Sequence, residues 1–186
     1  MMAALHCTLG VLLMVAAVHS LGPCDIYDTA GTPCVAAHSV VRALYDNYAG
    51  PLYQVNRTSD NALLDIGVLA AGGVVNAAAQ DSFCAGAYCV IQRIYDQSPK
   101  QNHLDIAPPG GAHRARDVPV NATRLSLSIS GKKAYAAYFE SGNGYRIDNT
   151  SGIATGNDPE TLYMVTSGQH LNGGCCFDCK YNTIKS

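Results

Sequence analysis

Two kinds of side chain in this sequence could do chemistry: a sparse set of carboxylates, and a group of cysteines near the C-terminus. Opening an acetal with retention needs two carboxyl groups about 5–5.5 Å apart, one ionised as nucleophile and one protonated as acid. Glutamate occurs only at Glu140 and Glu160. Glu140 ends a strand-like run just before Ser141-Gly142-Asn143-Gly144, and Glu160 follows Asp158-Pro159, so both read as solvated loop edges. Asp81, Asp96 and Asp178 lie in Gln80-Asp81-Ser82-Phe83-Cys84, Ile94-Tyr95-Asp96-Gln97-Ser98 and Cys176-Phe177-Asp178. A short carboxylate in such a setting caps or closes a turn. The residue pattern alone therefore singles out no catalytic pair.

The least ordinary local feature is Gly173-Gly174-Cys175-Cys176-Phe177-Asp178. A bond between adjacent cysteines would hold their Cα atoms roughly 3.8 Å apart, below the usual disulfide range. The resulting ring is rigid, flat and apolar. One reading is a platform for the face of a sugar; the other is two thiols bonded elsewhere, or a structural kink. Among the remaining cysteines, Cys24 with Cys34 and Cys84 with Cys89 would each close a short loop in an oxidising compartment. Cys179 is then left over.

Other chemistries lack their residues. There is no His-Glu-x-x-His, no Gly-x-Ser-x-Gly and no phosphate-cradling glycine loop. His38, His103, His113 and His170 are scattered and read as structural or surface groups. No metal and no cofactor is expected. With a formal net charge of -2 and 14% charged residues, the chain has no basic field for nucleic acid or an anionic membrane. A neutral partner and a monomeric state are expected.

Residues 1–20 run through an apolar stretch from Leu9 to Val18 and end in Val18-His19-Ser20, the pattern of a cleaved signal peptide too short to span a bilayer. Three sequons, at Asn56, Asn121 and Asn149, fit the same route to a secreted, extracellular glycoprotein.

The elements that must position these groups are mostly strands. Thr32-Pro33 followed by apolar Ala36, Val40, Ala43 and Leu44 predicts one short helix over 33–45, ended by Gly50-Pro51. Residues 76–83 predict a second. Strands are expected at Leu52 to Val55, Ala62 to Val68, Cys89 to Tyr95, Arg124 to Ile129, Lys133 to Phe139 and Leu162 to Thr166. Strict alternation in Arg124-Leu125-Ser126-Leu127-Ser128-Ile129 and the turn Ser130-Gly131 signal a hairpin. Ala107-Pro108-Pro109-Gly110-Gly111 must be a loop, because proline removes donors and fixes φ. The fold class is mostly β: a β-sandwich of jelly-roll or concanavalin-like kind, with one or two short helices.

Several blocks carry a resemblance. Gly22-Pro23-Cys24-Asp25-Ile26-Tyr27, Gly31-Thr32-Pro33-Cys34-Val35-Ala36-Ala37-His38-Ser39, residues 76–84, Ile94-Tyr95-Asp96-Gln97-Ser98, Ala107-Pro108-Pro109-Gly110-Gly111 and residues 172–178 resemble the catalytic domain of fungal α-L-arabinofuranosidases of glycoside hydrolase family 54. The resemblance implies a retaining enzyme that removes terminal α-L-arabinofuranosyl residues from arabinoxylan and arabinan. It also implies the disulfides Cys24–Cys34 and Cys84–Cys89, and a vicinal bond at Cys175 and Cys176 facing the arabinose.

The departure from that family is at the end of the chain. The family's nucleophilic glutamate and acid/base aspartate follow the Cys-Cys-Phe-Asp motif, and here only eight residues follow Asp178. Residues 21–178 are thus expected to be the N-terminal part of an incomplete sandwich, inactive by itself. Residues 179–186 are expected to be an aberrant tail: Cys179-Lys180-Tyr181 can be encoded TGT-AAG-TAY, which contains the common intron start GTAAGT. The alternative from another class is a noncatalytic secreted β-sandwich that holds arabinose or pentosan chains through Cys175 and Cys176.

Overall fold

Strand β1 (Pro51–Arg57) lies between β2 (Ala62–Gly67) and β3 (Cys89–Ile94), antiparallel to both. The computed structural model describes residues 21–110 and 114–169. The sheet continues through β4 (Leu104–Ile106) to β7 (Tyr145–Arg146), giving five strands in the order β2-β1-β3-β4-β7. A second sheet is the hairpin of β5 (Leu125–Ile129) and β6 (Lys132–Ala136). Helix α1 (Pro23–Thr29) precedes the first strand, and α2 (Ala77–Phe83) joins β2 to β3.

The predicted hairpin forms as its residues require. Ile129 pairs with Lys132 across the two-residue loop Ser130-Gly131, whose φ values are 49° and 72°. Two positive φ angles define the turn that matches the right-handed strand twist, and glycine accepts that geometry without a Cβ clash. Ser130 adopts it against its preference.

A β-sandwich core lies between the sheets. Leu52, Tyr53 and Val55 of β1, Ile66 of β2 and Ile91 of β3 are buried, together with Val120, Ala122 and the β6 residues Ala134 and Tyr135. Full burial of each large aliphatic side chain contributes roughly 1.5–3 kcal/mol. Helix α2 packs on β2 and β6. It carries one polar side chain into the core: Gln80 is fully buried, accepts from the Tyr53 hydroxyl at 2.6 Å and donates to Ala122 O at 2.8 Å.

Both short-loop disulfides are present, with Cα separations of 5.6 Å for Cys24–Cys34 and 5.9 Å for Cys84–Cys89. Cys24 and Cys89 are buried, so each bond ties a loop to the interior. The expected vicinal pair Cys175 and Cys176, the expected signal peptide and the tail from Cys179 lie outside the described residues.

Two expectations fail. The stretch 33–45 is not a helix; it runs as irregular chain with isolated bridges His38–Asp96 and Arg42–Val74. Its backbone donors have distant partners: Ala37 N bonds Asp96 Oδ1, Ala43 N bonds Gly73 O, and Leu44 N bonds Gln97 Oε1. Those bonds outbid the i to i−4 ladder that a run containing Val40 and Val41 favours weakly in any case. The N-terminal helix forms earlier instead, at α1, where Pro23 opens the first turn and Asp25 Oδ2 accepts from Gly22 N at 2.9 Å. Leu162 to Thr166 is also not a strand; it is exposed, with Val165 at 91%, and pairs with no other strand among the described residues. Without a neighbour to receive its backbone groups, β propensity has no ladder to join.

Candidate functional site

The outward face of the five-stranded sheet carries an unbroken polar row. Following the register across the strands, Asp65 faces Gln54, Gln54 faces Arg93, Arg93 faces Asp105, and Asp105 faces Arg146. Adjacent positions put Tyr53, Ile66 and Ile94 on the buried side, so strand alternation alone separates this face from the core.

Two neighbouring pairs in the row, Asp65 with Gln54 and Arg93 with Asp105, are hydrogen-bonded. Gln54 Nε2 and the Tyr95 hydroxyl both donate to Asp65 Oδ1, at 2.9 and 2.8 Å. Burial, and then that bond to a carboxylate, push the Tyr95 phenol up to about 12. Arg93 holds Asp105 through two parallel bonds, Nε to Oδ1 at 2.6 Å and Nη2 to Oδ2 at 2.8 Å. At the β7 end Arg146 Nε donates to Asp148 Oδ1 at 2.5 Å.

Above β3, β4 and β7 this face closes into a cleft of about 650 Å³, with Arg93, His103, Asp105, Arg146, Asp148 and Asn149 on its walls and Pro108 and Pro109 as apolar lining. A second cleft of about 420 Å³ lies beside α1, between Asp25, Asp28, Tyr45 and Ser98.

Asp96, one of the carboxylates singled out above, is a structural hub. It is buried, and its Oδ1 accepts from Ala37 N and Ser98 N while its Oδ2 accepts from Ser98 Oγ and Asn102 N. His38 and His103 complete the same corner. His38 Nε2 donates to Asn102 O at 2.7 Å, and His103 Nδ1 accepts from Asp96 N at 3.0 Å, a bond that requires the His103 ring to be neutral with its proton on Nε2. Partial burial lowers the pKa of both imidazoles. His113 and His170 lie outside the described residues.

Asp81 does more than close a turn, because it reaches β6 and accepts from Lys133 Nζ at 2.7 Å and the Tyr135 hydroxyl at 2.6 Å. Burial works to raise its pKa, and the bonds from Lys133 and Tyr135 outweigh it, so the group lies below the usual carboxylate range. Asp60 is held down at about 2 by its hydrogen bonds to Arg57. Glu140 sits exposed in an ion pair with Arg124 at 3.0 Å, and Glu160 is exposed. A general acid needs its pKa raised; Asp60 and Asp81 are moved the other way. Among the described residues no group of three His, Cys, Asp or Glu could hold a metal ion, and no helix is long and apolar enough to cross a membrane.

The sequons take three different positions. Asn56 is half-buried on β1, which is paired on both sides, and its Oδ1 is buried without a hydrogen-bond partner. Asn121 Oδ1 accepts from its own Thr123 N and Oγ1. Asn149 is exposed at the lip of the larger cleft. The polar row and the cleft were not foreseen, although the alternation of Arg93 and Asp105 with the buried Ile94 and Ile106 carries the signal.

An antiparallel β-sandwich, apolar between its sheets, charge-rich outside and braced by two disulfides, defines the class of protein as a disulfide-braced sandwich domain. Comparison with known proteins narrows it. Residues 23–184 match the family model described as α-L-arabinofuranosidase B, catalytic, and the chain belongs to that family. It is 56% identical over 161 residues to a probable α-L-arabinofuranosidase B of Aspergillus terreus, covering 84% of this chain and 32% of that protein. To the α-L-arabinofuranosidase B of Aspergillus oryzae it is 51% identical over 167 residues, covering 88% and 33%. A solved arabinofuranosidase complexed with arabinofuranosyl-α-1,2-xylobiose superposes with a TM-score of 0.71 at 47% identity, over 74% of this chain and 29% of the other. A GH54 α-L-arabinofuranosidase soaked with a cyclic sulfate inhibitor gives a TM-score of 0.70 at 46% identity, with the same coverage. This chain therefore spans about a third of the length of the curated relatives it matches.

Proposed function

We propose that this chain forms part of a retaining α-L-arabinofuranosidase that removes terminal α-L-arabinofuranosyl residues from arabinoxylan and arabinan during hemicellulose breakdown outside the cell. The observation that carries this reading is the match of residues 23–184 to the catalytic family, supported by the likeness to a structure holding an arabinofuranosyl xylobiose. Cys175 and Cys176 are assigned to the sugar platform, where a rigid apolar surface would orient the furanose ring before bond cleavage. The two disulfides support an oxidising destination, as the leader and the sequons do.

Retention requires a carboxylate that attacks the anomeric carbon and a carboxylic acid that protonates the leaving oxygen, then accepts a proton from water. Several carboxylates of the described residues serve structure: Asp96 in its hub, Asp81 on β6, and Asp60, Asp105, Asp148 and Glu140 in ion pairs with arginine. On this reading the chain by itself is expected not to cleave the glycosidic bond.

The test is release of nitrophenol from 4-nitrophenyl α-L-arabinofuranoside by the purified 186-residue chain, beside a longer relative. No release above buffer is expected. Turnover near the relative's rate would show that carboxylates of this chain are catalytic. In parallel, arabinose titration should give a signal that Cys175→Ser removes.

A further inference from the structure

We infer that Asn149 carries an N-linked glycan whose first sugars lie in the cleft over β3, β4 and β7. The inference rests on the secretory reading above, since the transfer occurs on that route, and it assigns the cleft an occupant.

Exposure singles out Asn149 among the three sequons, since Asn56 and Asn121 are half-buried. Asn56 sits in a strand paired on both sides, with its amide oxygen buried, so a sugar on its nitrogen would have to be accommodated against the sheet. Asn149 is exposed, and the chain just beyond it is pinned: Ser151 N donates to Asn102 Oδ1 at 2.7 Å, and Asn102 Nδ2 donates to Ser151 O at 2.9 Å. Asn102 is itself buried and fixed by Asp96, so the attachment point is held in place beside the cleft rather than swinging from it.

The cleft has the chemistry of a saccharide site. Arg93 with Asp105 and Arg146 with Asp148 are two ion pairs, and Arg116 adds one further cation to the lining. Each guanidinium uses two nitrogens on its partner and keeps further N–H donors, while the carboxylates keep free lone pairs. A saccharide offers both donors and acceptors and suits such walls, and Pro108 and Pro109 offer apolar surface to its C–H face. Covalent attachment removes the need for tight binding, because a short tether supplies an effective concentration on the order of millimolar.

The chain is secreted from a fungal host with its own leader, its glycopeptides are mapped by mass spectrometry, and the Asn149 glycan is trimmed with an endoglycosidase before and after denaturation. Asn149 should be occupied, and its trimming in the native protein should be about tenfold slower than after denaturation, a ratio equal to ~1.4 kcal/mol of seating. Asp105→Asn and, separately, Arg146→Gln should bring the native rate up towards the denatured one. Asn121 occupied with Asn149 bare would overturn the assignment while leaving the secretory reading intact. Equal native and denatured rates at Asn149 would overturn the seating. Retention in the cell with all three sequons bare would remove the secretory reading and this inference with it.

Discussion

The hydroxyl of Tyr53 donates to Gln80 Oε1 at 2.6 Å in the middle of the core, where both side chains are buried. Gln80 in turn donates to Ala122 O, so helix α2, strand β1 and the segment before β5 meet through one amide. Burial first, with the nearby Tyr135 and Asp81 adding to it, pushes the Tyr53 phenol far above its ordinary value, so it stays a donor at every accessible pH.

Removing one partner leaves the other buried without a bond, which costs about 1–3 kcal/mol. Tyr53→Phe and Gln80→Met should each lower stability by about that amount in urea unfolding. The double variant should lose less than the sum of the two, since neither residual group is then orphaned by the other. Strict additivity would mean that the pair is not coupled.

Asp96 accepts four hydrogen bonds from Ala37, Ser98 and Asn102. In Asp96→Asn one acceptor oxygen becomes an NH2 group facing N–H or O–H donors, and the charge-assisted character of the rest is lost. A loss of about 3 kcal/mol is expected on the scale of a buried hydrogen bond to a charged group. Proteolysis should then open the chain first between 33 and 45, whose backbone depends on this corner.

Stability should fall as pH drops below the ordinary histidine value of 6.5, because His38 and His103 have lowered pKa values in the folded chain. The unfolded chain binds protons there while the folded chain resists, so stability rises with pH up to 6.5 and flattens above it. A proton on His103 Nδ1 would face the Asp96 N–H that this nitrogen accepts from. Unfolding curves taken at stepped pH check the sign, and His103→Gln should make the dependence shallower.

At the β5–β6 turn, Ser130 has φ 49°. Ser130→Gly relieves the left-handed strain of a Cβ-bearing residue and keeps the two-residue loop. A gain of about 0.5–1 kcal/mol is expected, smaller if the added freedom of the unfolded chain offsets it. A calorimetric melting temperature that falls would show that the turn is not strained at Ser130.

Local pattern in the sequence determined the strands β1, β2, β3, β5 and β6, the turn at Ser130-Gly131, helix α2 behind Asn76, and the two short-loop disulfides. Alternation, turn chemistry and cysteine spacing act over a few residues, so they are legible without coordinates. The family was legible too, from the same cysteine and glycine blocks. Tertiary structure alone decided that 33–45 is not a helix, since the bonds that displace it come from Asp96, 59 residues away from Ala37, and from Gln97, 53 residues from Leu44. It also decided that the two-residue strand β7 joins the sheet, that Gln80 is buried, and that Asp65, Gln54, Arg93, Asp105 and Arg146 form one row. Each of these depends on which segments become neighbours, and hydrogen-bond partners far apart in the chain leave no periodic trace in it.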